Sequence, residues 1–145
     1  MIKKVNIRRS YLMTRVEKAA QLHGKGYNCA QAVVCSFAEE LDVDEETLFR
    51  MTEGLGLGMG GMQGTCGALN GACILAGLKN SKGTSDTTNK RSTYKLSAEI
   101  VTKFKEQAQA TICKELKGVE TGKVLTSCPD CISIAVKIAE EVLGY

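Results

Sequence analysis

The sequence has no tryptophan, three phenylalanines, one proline and one histidine. Without Trp and with so little Phe there is no obvious platform on which nucleic-acid bases could stack. Nor is there a basic footprint: 19 Lys and Arg stand against 16 Asp and Glu, a net charge of +3. Nucleic acid is therefore not an expected partner. A single proline and 43% hydrophobic residues exclude a disordered, collagen-like or proline-rich linker chain. No run of β-branched residues alternates with period two, so no half-buried strand is predicted. The basic start MIKKVNIRRSYLM has no apolar stretch behind it, which argues against a secretory signal. The longest uncharged run, Gly54 to Leu78, contains nine glycines, and only Ala68 to Leu78 is strongly apolar. That is too short to span a bilayer, so stable membrane insertion is not expected.

What the chain does have is 15 glycines and seven cysteines in 145 residues. The length suits one domain with its own core. A cytoplasmic location is expected, and in a reducing compartment a disulfide framework is disfavoured. The thiols then point to metal binding, redox chemistry or simple burial.

Hydrophobic spacing is helical almost throughout. Leu12, Val16, Ala19 and His23 form one stripe, stopped by Gly24 and Gly26. Ala30, Val33, Val34, Phe37 and Leu41 form a second, preceded by Asn28 and Gln31 in capping-box spacing. Asp44, Glu45 and Glu46 open a third helix, which fades at Gly54. Thr65 is the expected cap of a helix reaching Leu78, and Lys79 to Thr93 reads as a polar loop that runs into the first turn of the next helix. Tyr94 through Leu116 then reads as one long helix. Cys128 is the expected cap of a last helix, with Pro129 at its first position. The prediction is an all-α single domain, residues 1–145, a bundle of about six helices with one glycine-rich irregular loop at Gly54–Gly64.

On that map Cys29, Cys66 and Cys128 all fall at helix starts, where free N–H groups and the helix dipole favour a thiolate. Cys113 falls near the end of the long helix. Cys128 and Cys131 form C-x-x-C, with both sulfurs on one helix face, as dithiol oxidoreductases arrange them. No strand–helix alternation surrounds the motif, so a thioredoxin-like domain is not expected. Cys35 lies about 600° around the helix from Cys29, and Cys73 lies two turns inside Cys66, so both are expected in the core. His23 is expected as a packed or surface residue rather than a ligand. Gly56-x-Gly58-x-x-Gly61 lacks a preceding strand and a Walker lysine, which leaves a close-packed loop rather than a nucleotide site. Gly67, Ala68, Gly71 and Ala72 make a small-residue face. A second helix could approach closely there, or a prosthetic group contacting Gly67 and Gly71.

Taken together, Gly-Tyr-Asn-Cys-Ala-Gln-Ala at 26–32, Cys-Gly-Ala-Leu-Asn-Gly at 66–71, Cys113 before Lys-Glu-Leu, and Cys128-Pro129 are distinctive. The order resembles a family of redox-active bacterial and archaeal proteins named for its C…CGAxxG…C…C pattern, over roughly residues 20–143. The resemblance implies four characteristic cysteines, here Cys29, Cys66, Cys113 and Cys128. It also implies a small helical protein often encoded near transporter genes.

Two chemistries follow as expectations. In one, Cys29, Cys66, Cys113 and Cys128, with Cys131, ligate zinc or an iron–sulfur cluster for electron transfer or redox sensing. In the other, Cys128 attacks a disulfide and Cys131 or Cys113 resolves it without metal. A third reading is a non-catalytic structural or transporter-associated binding protein. An unidentified redox partner is expected, and a homodimer is a candidate state. The four cysteines are expected to converge, with Gly54–Gly64 wrapped around them and its backbone N–H groups facing the sulfurs.

Overall fold

Polar residues ahead of the apolar stripes set the helix starts. Thr14 accepts from the Glu17 N–H at 3.0 Å and opens α1, Arg15–Gly24. Asn28 and Gln31 each accept from the other's backbone N–H at 2.9 Å, the capping box the spacing predicts, and open α2, Cys29–Cys35. Asp44 accepts from the Thr47 N–H and opens α3, Glu45–Glu53. Beyond a kinked turn at Gly56–Met59, with Leu57 and Gly58 in left-handed conformation, the further helices are α4, Gly67–Asn80; α5, Lys90–Ala108; α6, Cys113–Lys117; and α7, Cys128–Leu143. The structure, a computed structural model, describes residues 13–145, so Leu12 of the first predicted stripe lies outside the described residues. The domain is all-α, as predicted. The only β pairing among the described residues is one antiparallel bridge between Thr65 and Ile112.

Two predicted helices are shorter than their stripes. α2 stops at Cys35 instead of reaching Leu41: the Ser36 hydroxyl donates to the Val33 carbonyl at 2.7 Å, and the Phe37 N–H turns back to Val34. Ala38–Glu40 follows as a single 3₁₀ turn. The predicted long helix also ends early, because Gln109 adopts a left-handed conformation (φ 80°). The Thr126 hydroxyl takes up the freed Ala108 carbonyl at 2.7 Å. The next residues are extended and pair with the glycine-rich segment, Thr111 accepting from the Cys66 N–H at 2.8 Å. The chain then restarts as α6. Lys79–Thr93 is a polar connection with two 3₁₀ turns, and α5 begins inside it at Lys90.

α4 lies at the centre, packed on α2, α5 and α7. Every residue of α2 from Ala30 to Cys35 is buried. Phe37, Phe104, Leu48, Leu69, Leu75, Ile100, Ile132 and Ile138 fill the core. Around the edge, Arg15 joins Glu40 and Glu140 at 2.8 and 2.7 Å and lies over the ring of Phe37, holding α1 to the end of α7.

The small-residue face of α4 is what lets α2 approach. A Cβ on Gly67 would stand 2.9 Å from the Leu55 carbonyl oxygen and 3.3 Å from the Ala30 nitrogen, both backbone atoms. One on Gly77 would meet nothing within 4 Å. The two glycines should therefore respond oppositely. Gly67→Ala is expected to destabilise by about 1–3 kcal/mol through overpacking. Gly77→Ala, in the same helix, should stabilise by roughly 0.5–1 kcal/mol by restricting the unfolded chain. Thermal unfolding of the two variants checks this; midpoints moving in the same direction would contradict the seam.

Candidate functional site

Four helix starts deliver the cysteines. Cys29 is the first residue of α2, directly after its cap Asn28. Cys66 itself occupies the cap position of α4, in place of the predicted Thr65. Thr65 is taken by the bridge to Ile112, and its carbonyl accepts from the Asn70 side chain at 3.3 Å. Cys128 is the first residue of α7 rather than its cap. Ser127 caps instead, accepting from the Asp130 N–H, and Pro129 moves to the second position. Cys113 does not end a long helix; it begins α6. Its N–H donates to the Gly64 carbonyl, and that of Lys114 donates to Met62, both at 3.0 Å.

The four cysteines come to one cavity. Cys29, Cys66, Cys113 and Cys128 line one cavity of about 200 Å³, and Cys131 joins them. Cys66 and Cys113 are each 6% exposed and Cys131 2%, whereas Cys29 and Cys128 are half-buried at the mouth. Cys35 is fully buried in the core, and burial pushes its thiol up to about 12. Cys73 is half-buried beside Ser97, and burial raises it as well. Neither reaches the cavity.

Within the cavity the sulfurs sort into two pairs. Side-chain hydrogen bonds link Cys29 with Cys128 and Cys131 with Cys66, the first of each pair raised and the second lowered. Cys131 also has the Thr126 carbonyl oxygen at 3.9 Å as an acceptor. Cys128 is held below its ordinary value first by the Cys29 hydrogen bond, then by the Lys117 ammonium and, more weakly, His23. Cys66 is lowered first by Cys131 and then by the N–H groups of Ala68 and Leu69. Its sulfur forms no regular capping bond, so those N–H groups act as the positive end of α4. Cys29 and Cys131 move the other way, first through the same hydrogen bonds and then because loss of solvent disfavours their charged forms. Cys113 is raised by burial, against the pull of Lys117.

The glycine-rich segment does cover the site, with Leu57 and Gly58 in the cavity wall. A side chain on Gly58 would collide with Cys113, and its φ is +56°. The expectation for its N–H groups is corrected. Those of Gly60, Met62 and Gly64 bond the segment's own carbonyls of Gly56, Leu57 and Gly58, closing a tight coil. Its outer carbonyls serve α6 instead. Of the two glycines offered to a prosthetic group, Gly67 lines the cavity, but Gly71 faces the Ala30 carbonyl and Val33 of α2.

Two residues at the site were not singled out as functional. His23 was expected to be packed or at the surface, yet it lines the cavity. Lys117 lies in the last turn of α6, and Gly118 follows in the left-handed region, where a side chain would strike Lys123. A lysine before a glycine stop reads from sequence as a helix-end cation, and only the fold turns it toward the thiols.

Thiolate sulfurs suit zinc or an iron–sulfur cluster. Among the described residues, no group of three or more His, Cys, Asp or Glu is arranged as a metal site. No helix among them is long and apolar enough to cross a membrane.

Neither a curated protein nor a solved structure matches the chain. One family model does, described as "Putative redox-active protein (C_GCAxxG_C_C)", over residues 27–142. The match runs from the residue before the Asn28 cap almost to the end of α7 and takes in all five cavity cysteines. This chain belongs to that redox-active family.

Proposed function

We propose that the protein carries out thiol–disulfide exchange, with Cys128 as the attacking sulfur and Cys29 as its resolving partner. The observation that carries this reading is the Cys29–Cys128 pair itself. It is half-buried at the cavity mouth and internally hydrogen-bonded, with both members at helix N-termini and Cys128 beside Lys117. A thiolate is the nucleophile in exchange, and these are the surroundings that maintain one near neutral pH.

The reacting partner is a disulfide, R–S–S–R. The Cys128 thiolate attacks one sulfur, the S–S bond breaks and RS⁻ leaves. The Cys29 sulfur then attacks the Cys128 sulfur of the mixed disulfide. RSH departs with the Cys29 proton, leaving a Cys29–Cys128 disulfide. Two electrons have passed from the protein to R–S–S–R, and the reverse sequence oxidises two thiols. Cys131, the partner that C-x-x-C spacing suggests, faces Cys66 instead. Cys113 is buried, and its thiol is raised.

The direction of each shift fixes a reactivity order. A thiol whose pKa is depressed stays ionised to lower pH. Cys128 should therefore alkylate close to its plateau rate at pH 7, slowing only as pH falls toward the depressed value. Cys35, raised by burial, needs alkaline conditions. Timed iodoacetamide labelling read by peptide mass is expected to modify Cys128 first. Lys117→Met should slow Cys128 by about twofold at pH 6 and by nearly tenfold at about pH 4, where loss of the cation removes about one unit of depression. Labelling of Cys35 or Cys73 ahead of Cys128 would deprive the reading of its nucleophile.

Covalent trapping tests the pair directly. With glutathione disulfide, Cys29→Ser should accumulate glutathione on Cys128, whereas the wild type should pass on to an internal bond. Metal content checks the competing chemistry. Protein purified without oxygen should be colourless and hold well under one iron or zinc per chain. A brown chromophore, or one tightly bound zinc, would replace exchange with a thiolate metal centre.

A further inference from the structure

The cavity holds a second cysteine pair that the exchange step above leaves unused. Cys66 and Cys131 face each other beneath the mouth, 6% and 2% exposed. No bulky oxidant reaches sulfurs so covered. Both line the same cavity as Cys29 and Cys128. Cys128 and Cys131 are the first and fourth residues of α7, so one helical turn separates the mouth from the interior. Cys29 and Cys66 start the two helices that touch most closely, Gly67 lying against the Ala30 backbone. Each inner cysteine therefore has an outer cysteine as its neighbour, through the chain or across the seam.

We infer that Cys66 and Cys131 form a buried second dithiol that takes over the disulfide made at Cys29 and Cys128, so that one chain stores two disulfides, the inner one filled through the outer. This rests on the exchange reading above and adds an internal step to it.

The step balances. The Cys66 thiolate attacks the Cys29 sulfur of the Cys29–Cys128 disulfide. That bond breaks, a Cys66–Cys29 bond forms, and Cys128 leaves as thiolate. Cys128 is the better leaving group of the outer pair, since Lys117 and the helix end stabilise its charge. The Cys131 sulfur then attacks Cys66, and Cys29 departs with the Cys131 proton. The products are a Cys66–Cys131 disulfide, a Cys29 thiol and a Cys128 thiolate. The outer pair has regained its starting protonation and can meet a second R–S–S–R. No further oxidant enters the internal step. The full reaction consumes two R–S–S–R and yields four RSH equivalents.

The test follows one disulfide through the intact chain. Fully reduced protein receives one equivalent of diamide, is quenched at intervals with acid and N-ethylmaleimide, and its disulfides are mapped by peptide mass. The expected sequence is a Cys29–Cys128 bond first, giving way to Cys66–Cys131 with no more oxidant added. Cys131→Ser should stop the transfer and accumulate the Cys66–Cys29 bond. With excess diamide the wild type should lose four thiols as two disulfides, and the Cys66→Ser, Cys131→Ser double variant should lose two. A Cys29–Cys128 bond that persists while Cys66 and Cys131 stay free overturns the relay and leaves the exchange reading intact. Oxidation of Cys66 and Cys131 in Cys29→Ser, Cys128→Ser protein at the wild-type rate also overturns it. Absence of the Cys29–Cys128 bond at every interval removes both.

Discussion

The thiol site depends on how closely the first turn of α4 approaches backbone. Gly67 stands where any side chain would press on the Leu55 carbonyl and the Ala30 amide. That contact brings the start of α4 against the start of α2, and so Cys66 toward Cys29. α7 packs on both helices and adds Cys128 and Cys131 from its first turn. Four sulfurs from distant parts of the chain share a cavity because three helix starts were brought to one place. A larger residue at 67 would separate two of those starts before it altered any sulfur.

Charge decides how the assembled thiols behave. Four thiolates in about 200 Å³ would repel one another strongly in a site with little water. The arrangement opposes that by pairing unlike thiols: Cys29 is raised where Cys128 is lowered, and Cys131 is raised where Cys66 is lowered. The two sulfurs that retain charge sit where positive potential is fixed. Cys66 has the N–H groups of α4, and Cys128 has Lys117 and the start of α7. The raised pKa of Lys117 is the other side of this interaction, since the Cys128 charge is the main cause of it. The pairs titrate as units, and each holds one lowered and one raised thiol.

Much of this was legible in the sequence, and the residues show why. The helical period, the Asn28–Gln31 box, Asp44 and the polar Lys79–Thr93 connection are local signals, settled within a turn or two of chain. So was the burial of Cys35. What the sequence did not reveal was decided by partners far away. The break after Ala108 carries no proline or glycine; it is made by the Thr126 hydroxyl and by the bridge between Ile112 and Thr65. The same bridge shifts the α4 cap from Thr65 to Cys66. The pairing of sulfurs was equally hidden: C-x-x-C spacing suggests Cys128 with Cys131, but tertiary packing gives each a hydrogen-bond partner on another helix. His23 and Lys117 carry ordinary helix-end signals, and their approach to the thiols is a product of packing alone.

The roof of the cavity is the least comfortable backbone in the chain. Leu57, Met59 and Met62 all have positive φ, at 52°, 62° and 64°, which costs a residue with a side chain about 1–2 kcal/mol. The coil survives because its inner hydrogen bonds close on Gly56, Leu57 and Gly58, while Met62 and Gly64 give their carbonyls to the first N–H groups of α6. α6 is a little over one turn long, and Lys117 stands at its far end. The roof therefore sets the position of the helix that carries the Cys128 counter-charge. Strain gathered over a reactive cavity is a common arrangement, and here it has a definite route to the chemistry. Met62 and Gly64 anchor the first turn of α6, and Lys117 closes that helix beside Cys128, so the coil bears on the position of the cation without any contact to the sulfur itself.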